Sequence, residues 1–118
     1  MFRFEKLEVW TKAVTFAGAI YSATRLFPEN ERFGLTSQMR RASVSISSNI
    51  AEGSGRGSDK EFARFVGIAY GSLMEIVSQS KIAESQSMMT SQCATDIYKS
   101  AEELARMLSG LRSKLDSH

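Results

Sequence analysis

The chain has 118 residues, 42% hydrophobic and 24% charged, with a formal net charge of +2. This balance fits one packed domain over residues 1–118 rather than a disordered polymer. No apolar run approaches the ~20 residues a bilayer span needs, so no membrane association is expected.

The opening MFRFEKLEVW mixes acids with bases and has no apolar run before a small-residue cleavage site, which points to the cytoplasm. Charge is unevenly spread. Met1 to Arg64 hold ten Lys/Arg against seven Asp/Glu, whereas Phe65 to His118 hold five against six. The first half is thus the more suited to anions.

Leu7, Trp10, Val14, Ala17, Tyr21 and Thr24 recur at steps of three and four. They predict a helix from about Glu5 to Leu26 with that stripe inward, widened by Ala13, Phe16 and Ile20. Pro28, the only proline, ends it by disfavouring helical geometry at Phe27.

Thr36 or Ser37 can cap a second helix whose apolar face is Met39, Ala42, Ile46 and Ile50. Beside that face runs a polar stripe of Gln38, Arg41, Ser45, Asn49 and Glu52. Small residues, Ser43, Ser45, Ser47 and Ser48 among them, allow a helix or an RNA strand to approach closely. The run from Gly53 to Gly57 ends the helix, glycine suiting a left-handed C-cap.

Ser58-Asp59-Lys60-Glu61 forms a capping box for a third helix, which carries Phe62, Phe65, Val66, Ala69, Leu73, Ile76 and Ala83 to about Ser85. Thr90 caps a fourth, with Ile97, Ala101, Leu104, Leu108, Leu111 and Leu115 on one side. Asp116, Ser117 and His118 should fray, which makes His118 a poor catalytic base. Cys93, the single cysteine, has no Cys or His at metal-ligand spacing and reads as a small helix residue. Four amphipathic helices with short connections predict an all-α, antiparallel up-down-up-down four-helix bundle.

These residues carry a resemblance. KLEVW, then LFPENERFGLTSQMRRASVSISSNIAEGSGR, then EFARFVGIAYGSLMEI resembles the four-helix bundle family of 23S ribosomal RNA intervening sequences. That family includes accessory variability determinant proteins of diversity-generating retroelements. The similarity covers Phe4 to Leu111 and centres on Gln38, Arg40-Arg41, Ser45, Asn49, Ala51-Glu52-Gly53, Arg56 and Gly71-Ser72-Leu73-x-Glu75. The resemblance implies a pentameric ring with a nucleic-acid-binding role on RNA or DNA. In the retroelement branch it implies a reverse transcriptase partner.

Gln38, Arg41, Ser45, Asn49, Glu52, Ser72 and Glu75 read as a polar network between helices, in which Arg41 or another base neutralises Glu52 and Glu75. A carboxylate metal site would add Glu-x-x-His pairs, and the sequence has no internal histidine. Arg40, Arg56, Lys60 and Arg64 are expected around the glycine-rich turn and the next helix N-terminus, where phosphate is favoured. Arg32 and Arg25 are further candidates, and Phe33 is the aromatic open for base stacking. The other large aromatic residues read as core or subunit interface. GSGRGS lacks the lysine and strand context of a P-loop, so nucleotide hydrolysis is not expected.

The function expected is that of a non-enzymatic, oligomeric nucleic-acid-binding protein without cofactor or metal. The alternative is a protein-interaction scaffold.

Overall fold

The computed structural model describes residues 1–117. His118 lies outside the described residues. Four helices, α1 (Glu8–Thr24), α2 (Leu35–Ser54), α3 (Asp59–Ser85) and α4 (Ser91–Asp116), form an all-α four-helix bundle measuring 45 × 22 × 21 Å. Each helix packs on its neighbours in sequence, and α4 closes against α1.

The packing runs antiparallel. Ser45 of α2 meets Ser72 of α3, while Gly53, further along α2, lies against Phe62 and Phe65 at the start of α3. Lys12, early in α1, pairs with Glu103, midway along α4, at 3.0 Å.

The apolar faces expected on α2 and α3 are buried throughout, from Met39 to Ile50 and from Phe62 to Ala83. On α4, Ile97, Ala101, Leu104, Leu108 and Leu115 are buried, and Leu111 is half-buried. Ser58 and Thr90 cap α3 and α4, each hydroxyl accepting from the backbone amide three residues on, Glu61 at 3.2 Å and Cys93 at 3.1 Å. Glu61 does not complete its half of the box, because its carboxylate accepts from Arg64 instead.

The first helix differs from expectation. The chain opens with a 3-10 turn, Arg3–Lys6, held by the Glu5 carboxylate accepting from Phe2 N at 3.0 Å, and Leu7 is extended before α1 begins. The inner face of α1 is Val9, Ala13, Phe16, Ile20 and Thr24, one residue round from the stripe led by Trp10, Val14 and Tyr21. Val14 is 45% exposed. Two apolar stripes adjoin on this helix, with Ala17, Gly18 and Ala19 blurring the boundary. Burial goes to Phe16 and Ile20, which carry no polar atom, while the Tyr21 hydroxyl stays near water.

α2 is not capped by Thr36 or Ser37. Instead the Glu31 carboxylate, from a second 3-10 turn (Glu29–Glu31), accepts from Leu35 N at 3.0 Å. Gly34 makes room: a Cβ there would lie 2.7 Å from that carboxylate oxygen.

Nor is any glycine left-handed at the end of α2. Gly53 is still helical, and the C-cap Gly55 has φ −91°. Among the described residues the positive φ belongs to Ser87, at 59°. Ser87 closes α3 in a Schellman turn, with Met88 N donating to Ala83 O at 2.9 Å and Ser87 N to Glu84 O at 3.0 Å. A side chain in that conformation costs about 1–2 kcal/mol, partly offset by glycine's looser unfolded state. Ser87→Gly should therefore raise stability by about 0.5 kcal/mol, measured as a higher urea midpoint at unchanged slope.

Candidate nucleic-acid interface

Arginine and aromatic side chains meet at two places, one at each end of the rod. Arg40 lies in the second turn of α2 and Arg56 two residues beyond its end, so about 21 Å of helix, Arg40 to Ser54, stands between them. The structure therefore separates the bases expected around one turn. Arg32 and Arg40 sit at one end, and Arg56, Lys60 and Arg64 at the other.

At the glycine-rich turn, the Arg56 and Arg64 guanidinium groups lie 4.8 and 4.6 Å from the centroid of the Phe65 ring. Arg3 similarly covers Phe62 at 5.1 Å. Both turn arginines are already paired, Arg56 with Glu52 at 2.7 Å and Arg64 with Glu61 at 3.1 Å. The Arg64 hydrogen bond holds the Glu61 carboxyl below its ordinary range, so it stays ionised at neutral pH. Asp59 and Glu61 place two carboxylates in the first turn of α3, where the helix dipole would otherwise attract phosphate. Lys60 is exposed, with no ion pair among the described residues. This end is rich in bases but largely neutralised.

The opposite end is arranged differently. The connection through Arg32 and Phe33 folds against the first three turns of α2 and forms an open concavity of about 560 Å³. Arg32, Arg40 and Arg41 line it, with Tyr21 and Phe33, the hydroxyls of Thr36, Ser37 and Ser45, and Val44. No carboxylate lines it among the described residues.

Arg40 is fixed in place. Its Nε donates to Thr24 Oγ1 at 2.9 Å and its Nη2 to Tyr21 O at 3.4 Å, and the guanidinium lies 4.7 Å from the Tyr21 ring centroid. It thus satisfies carbonyl and hydroxyl groups at the C-terminus of α1, where a cation is favoured. Thr24 is buried, and its hydroxyl donates in turn to Ile20 O at 2.8 Å. Arg41 is exposed and makes no ion pair among the described residues. Arg32 is weakly held by Glu29 at 3.7 Å, both groups well exposed. Arg25, the C-cap residue of α1, is exposed but outside the lining.

The expected polar network divides into separate parts. Ser45 and Ser72 share a hydrogen bond of 2.9 Å across α2 and α3, and Asn49 Nδ2 donates to Ser45 Oγ at 2.9 Å. Arg41 does not neutralise Glu52 or Glu75. Glu52 takes Arg56, and Glu75 accepts from Gln79 Nε2 at 3.1 Å. Both carboxylates are exposed, so neither requires a buried counter-charge. Gln38, Arg41, Ser45, Ser72 and Glu75 instead surround a second hollow of about 330 Å³, which shares Arg41 and Ser45 with the first. No group of three or more metal-ligating side chains gathers among the described residues. None of the described helices is long and apolar enough to cross a membrane.

Residues 5–110 match the family model described as 23S rRNA-intervening sequence protein. The chain belongs to this family. In fold, the chain is similar to a crystal structure of a protein of unknown function from the S23 ribosomal protein family of Bacteroides thetaiotaomicron. The two superpose with a TM-score of 0.81 at 23% identity, over 88% of this chain and 97% of the other. No curated protein matches it.

Proposed function

We propose that the protein is a non-enzymatic, cytoplasmic nucleic-acid-binding protein that works as a homo-oligomer, with the concavity at the start of α2 as its contact surface. The observation that supports this best is the acid-free lining with three arginines. Arg40, spent on the end of α1, contributes a fixed positive field. Arg32 and Arg41 are the side chains free to reach phosphates, and such contacts confer affinity without sequence preference. Self-association is supported by apolar side chains left open on α1 and α3, Val14, Ile68, Met74 and Ile82, each 40–50% exposed. The family resemblance favours five subunits.

The test is fluorescence anisotropy of a labelled RNA across a salt series, with light scattering on the same samples. Arg32→Gln combined with Arg41→Gln is expected to weaken binding and flatten the log K against log salt slope by about 1.4, the contribution of two phosphate contacts on a single strand. Arg40 is left intact because its loss would uncap α1. An unchanged slope overturns the site. If Arg56→Gln, Lys60→Gln and Arg64→Gln together govern the slope, contact is at the glycine-rich end. The scattering mass is expected at a multiple of 13.1 kDa, and a monomer at working concentration overturns the oligomer.

A further inference from the structure

We infer that the concavity selects unpaired polynucleotide over duplex, with the Phe33 ring as the platform on which one base stacks. This rests on the nucleic-acid reading above and goes further, to the form of strand taken.

Phe33 is 88% exposed, the most exposed aromatic ring in the described chain. It takes no part in the hydrophobic core, so packing within the subunit does not account for a large apolar ring at this position. Its backbone is nevertheless tied down on both sides. Arg32 N donates to Glu29 O at 3.1 Å, Gly34 N to Glu31 O at 3.0 Å, and the Glu31 carboxylate receives Leu35 N at 3.0 Å. The ring is therefore presented from a braced segment, and little ordering remains to be done on binding.

The Arg32 guanidinium lies 5.2 Å from the Phe33 ring centroid and covers one side of it. The opposite side is available to a planar partner. Tyr21, the other ring in the concavity, is already covered by Arg40 at 4.7 Å. Phe33 is consequently the stacking surface this site offers.

A base presents its face only when it is unstacked. In a duplex both faces are covered by neighbouring pairs, so a protruding ring gains nothing unless it opens the helix, whereas every unpaired base has a free face. Arg32 and Arg41 would neutralise phosphates of either form. Phe33 would reward only one of them.

The experiment compares a labelled twelve-nucleotide RNA, single-stranded and annealed to its complement, binding to the full chain in its natural assembly. Phe33→Ala is expected to weaken the single strand about tenfold while the duplex changes by less than about twofold and the salt slope stays the same. Phe33→Trp should bind the single strand at least as tightly as the native protein. Equal effects of Phe33→Ala on both forms, or none on either, overturn the inference while leaving nucleic-acid binding intact. A change of assembly mass in Phe33→Ala would make the ring a subunit contact and also overturn it. Absence of salt-dependent binding to either form by the native protein would remove the parent reading as well.

Discussion

Gly53→Ala is expected to destabilise the bundle by about 2 kcal/mol, even though alanine favours a helix interior over glycine by about 1 kcal/mol. A Cβ on Gly53 would stand 2.7 Å from the Phe65 Cβ and 2.8 Å from Phe62 Cδ1. The Phe65 Cβ is fixed to its backbone, so no rotamer relieves the overlap. α2 and α3 would have to separate along their seam. Gly67 provides the control, because its added Cβ would meet the end of the Arg112 side chain at 2.8 Å. An exposed guanidinium can swing away, so Gly67→Ala should be neutral or mildly stabilising. Urea unfolding of the two variants separates the cases: a similar rise in midpoint for both would show that α2 and α3 are not in close contact at Gly53.

How far such features can be read from sequence depends on whether their cause is local. The inner faces of α2 and α4 are legible because Met39, Ala42, Ile46 and Ile50, or Ile97 through Leu115, form one apolar period bordered by polar residues. Ser58 and Thr90 are legible as caps because each acts on an amide three residues away. The rotation of α1 is not, since two apolar stripes of similar strength adjoin and only packing chooses between them. The start of α2 is hidden although its cause is local: the cap is Glu31, four residues before Leu35 and outside the helix, where Thr36 and Ser37 are the residue types that usually cap.

The same distinction holds at the candidate site. Pairing of Glu52 with Arg56 and of Glu61 with Arg64 follows the helical spacing of four and three, a signal available in the sequence that removes two arginines from the free bases. Arg40 reaching Thr24, sixteen positions earlier, requires two helices already packed. A list of basic residues near one turn therefore becomes two ends with different chemistry, one internally neutralised and one open.

Phe62→Ala should have the largest effect of any single truncation at the glycine-rich end, a loss of about 3–5 kcal/mol. The ring is 1% exposed, lies against Gly53 at the α2–α3 seam and carries the Arg3 guanidinium on its outer side. Its removal leaves a cavity between helices whose backbones are already close, and it takes away the ring that the Arg3 side chain covers. For a domain of this size the melting temperature should fall by roughly 12–20 °C. Part of the cavity adjoins the space that the methyl group introduced by Gly53→Ala would occupy. Gly53→Ala added to Phe62→Ala should thus cost less than the sum of the single changes, by about 0.5 kcal/mol or more in a double-mutant cycle. The Phe65 Cβ obstacle remains, so the relief should be partial. The cycle also tests the division of labour between the two ends. Phe62 lies near the C-terminus of α2 and Phe33 just before its N-terminus, roughly 30 Å apart along the rod. Where Phe62→Ala is still folded, at low temperature, its RNA affinity per assembled molecule should match the native protein. A specific loss of affinity in that folded state would move the contact surface to the Arg56 and Arg64 end.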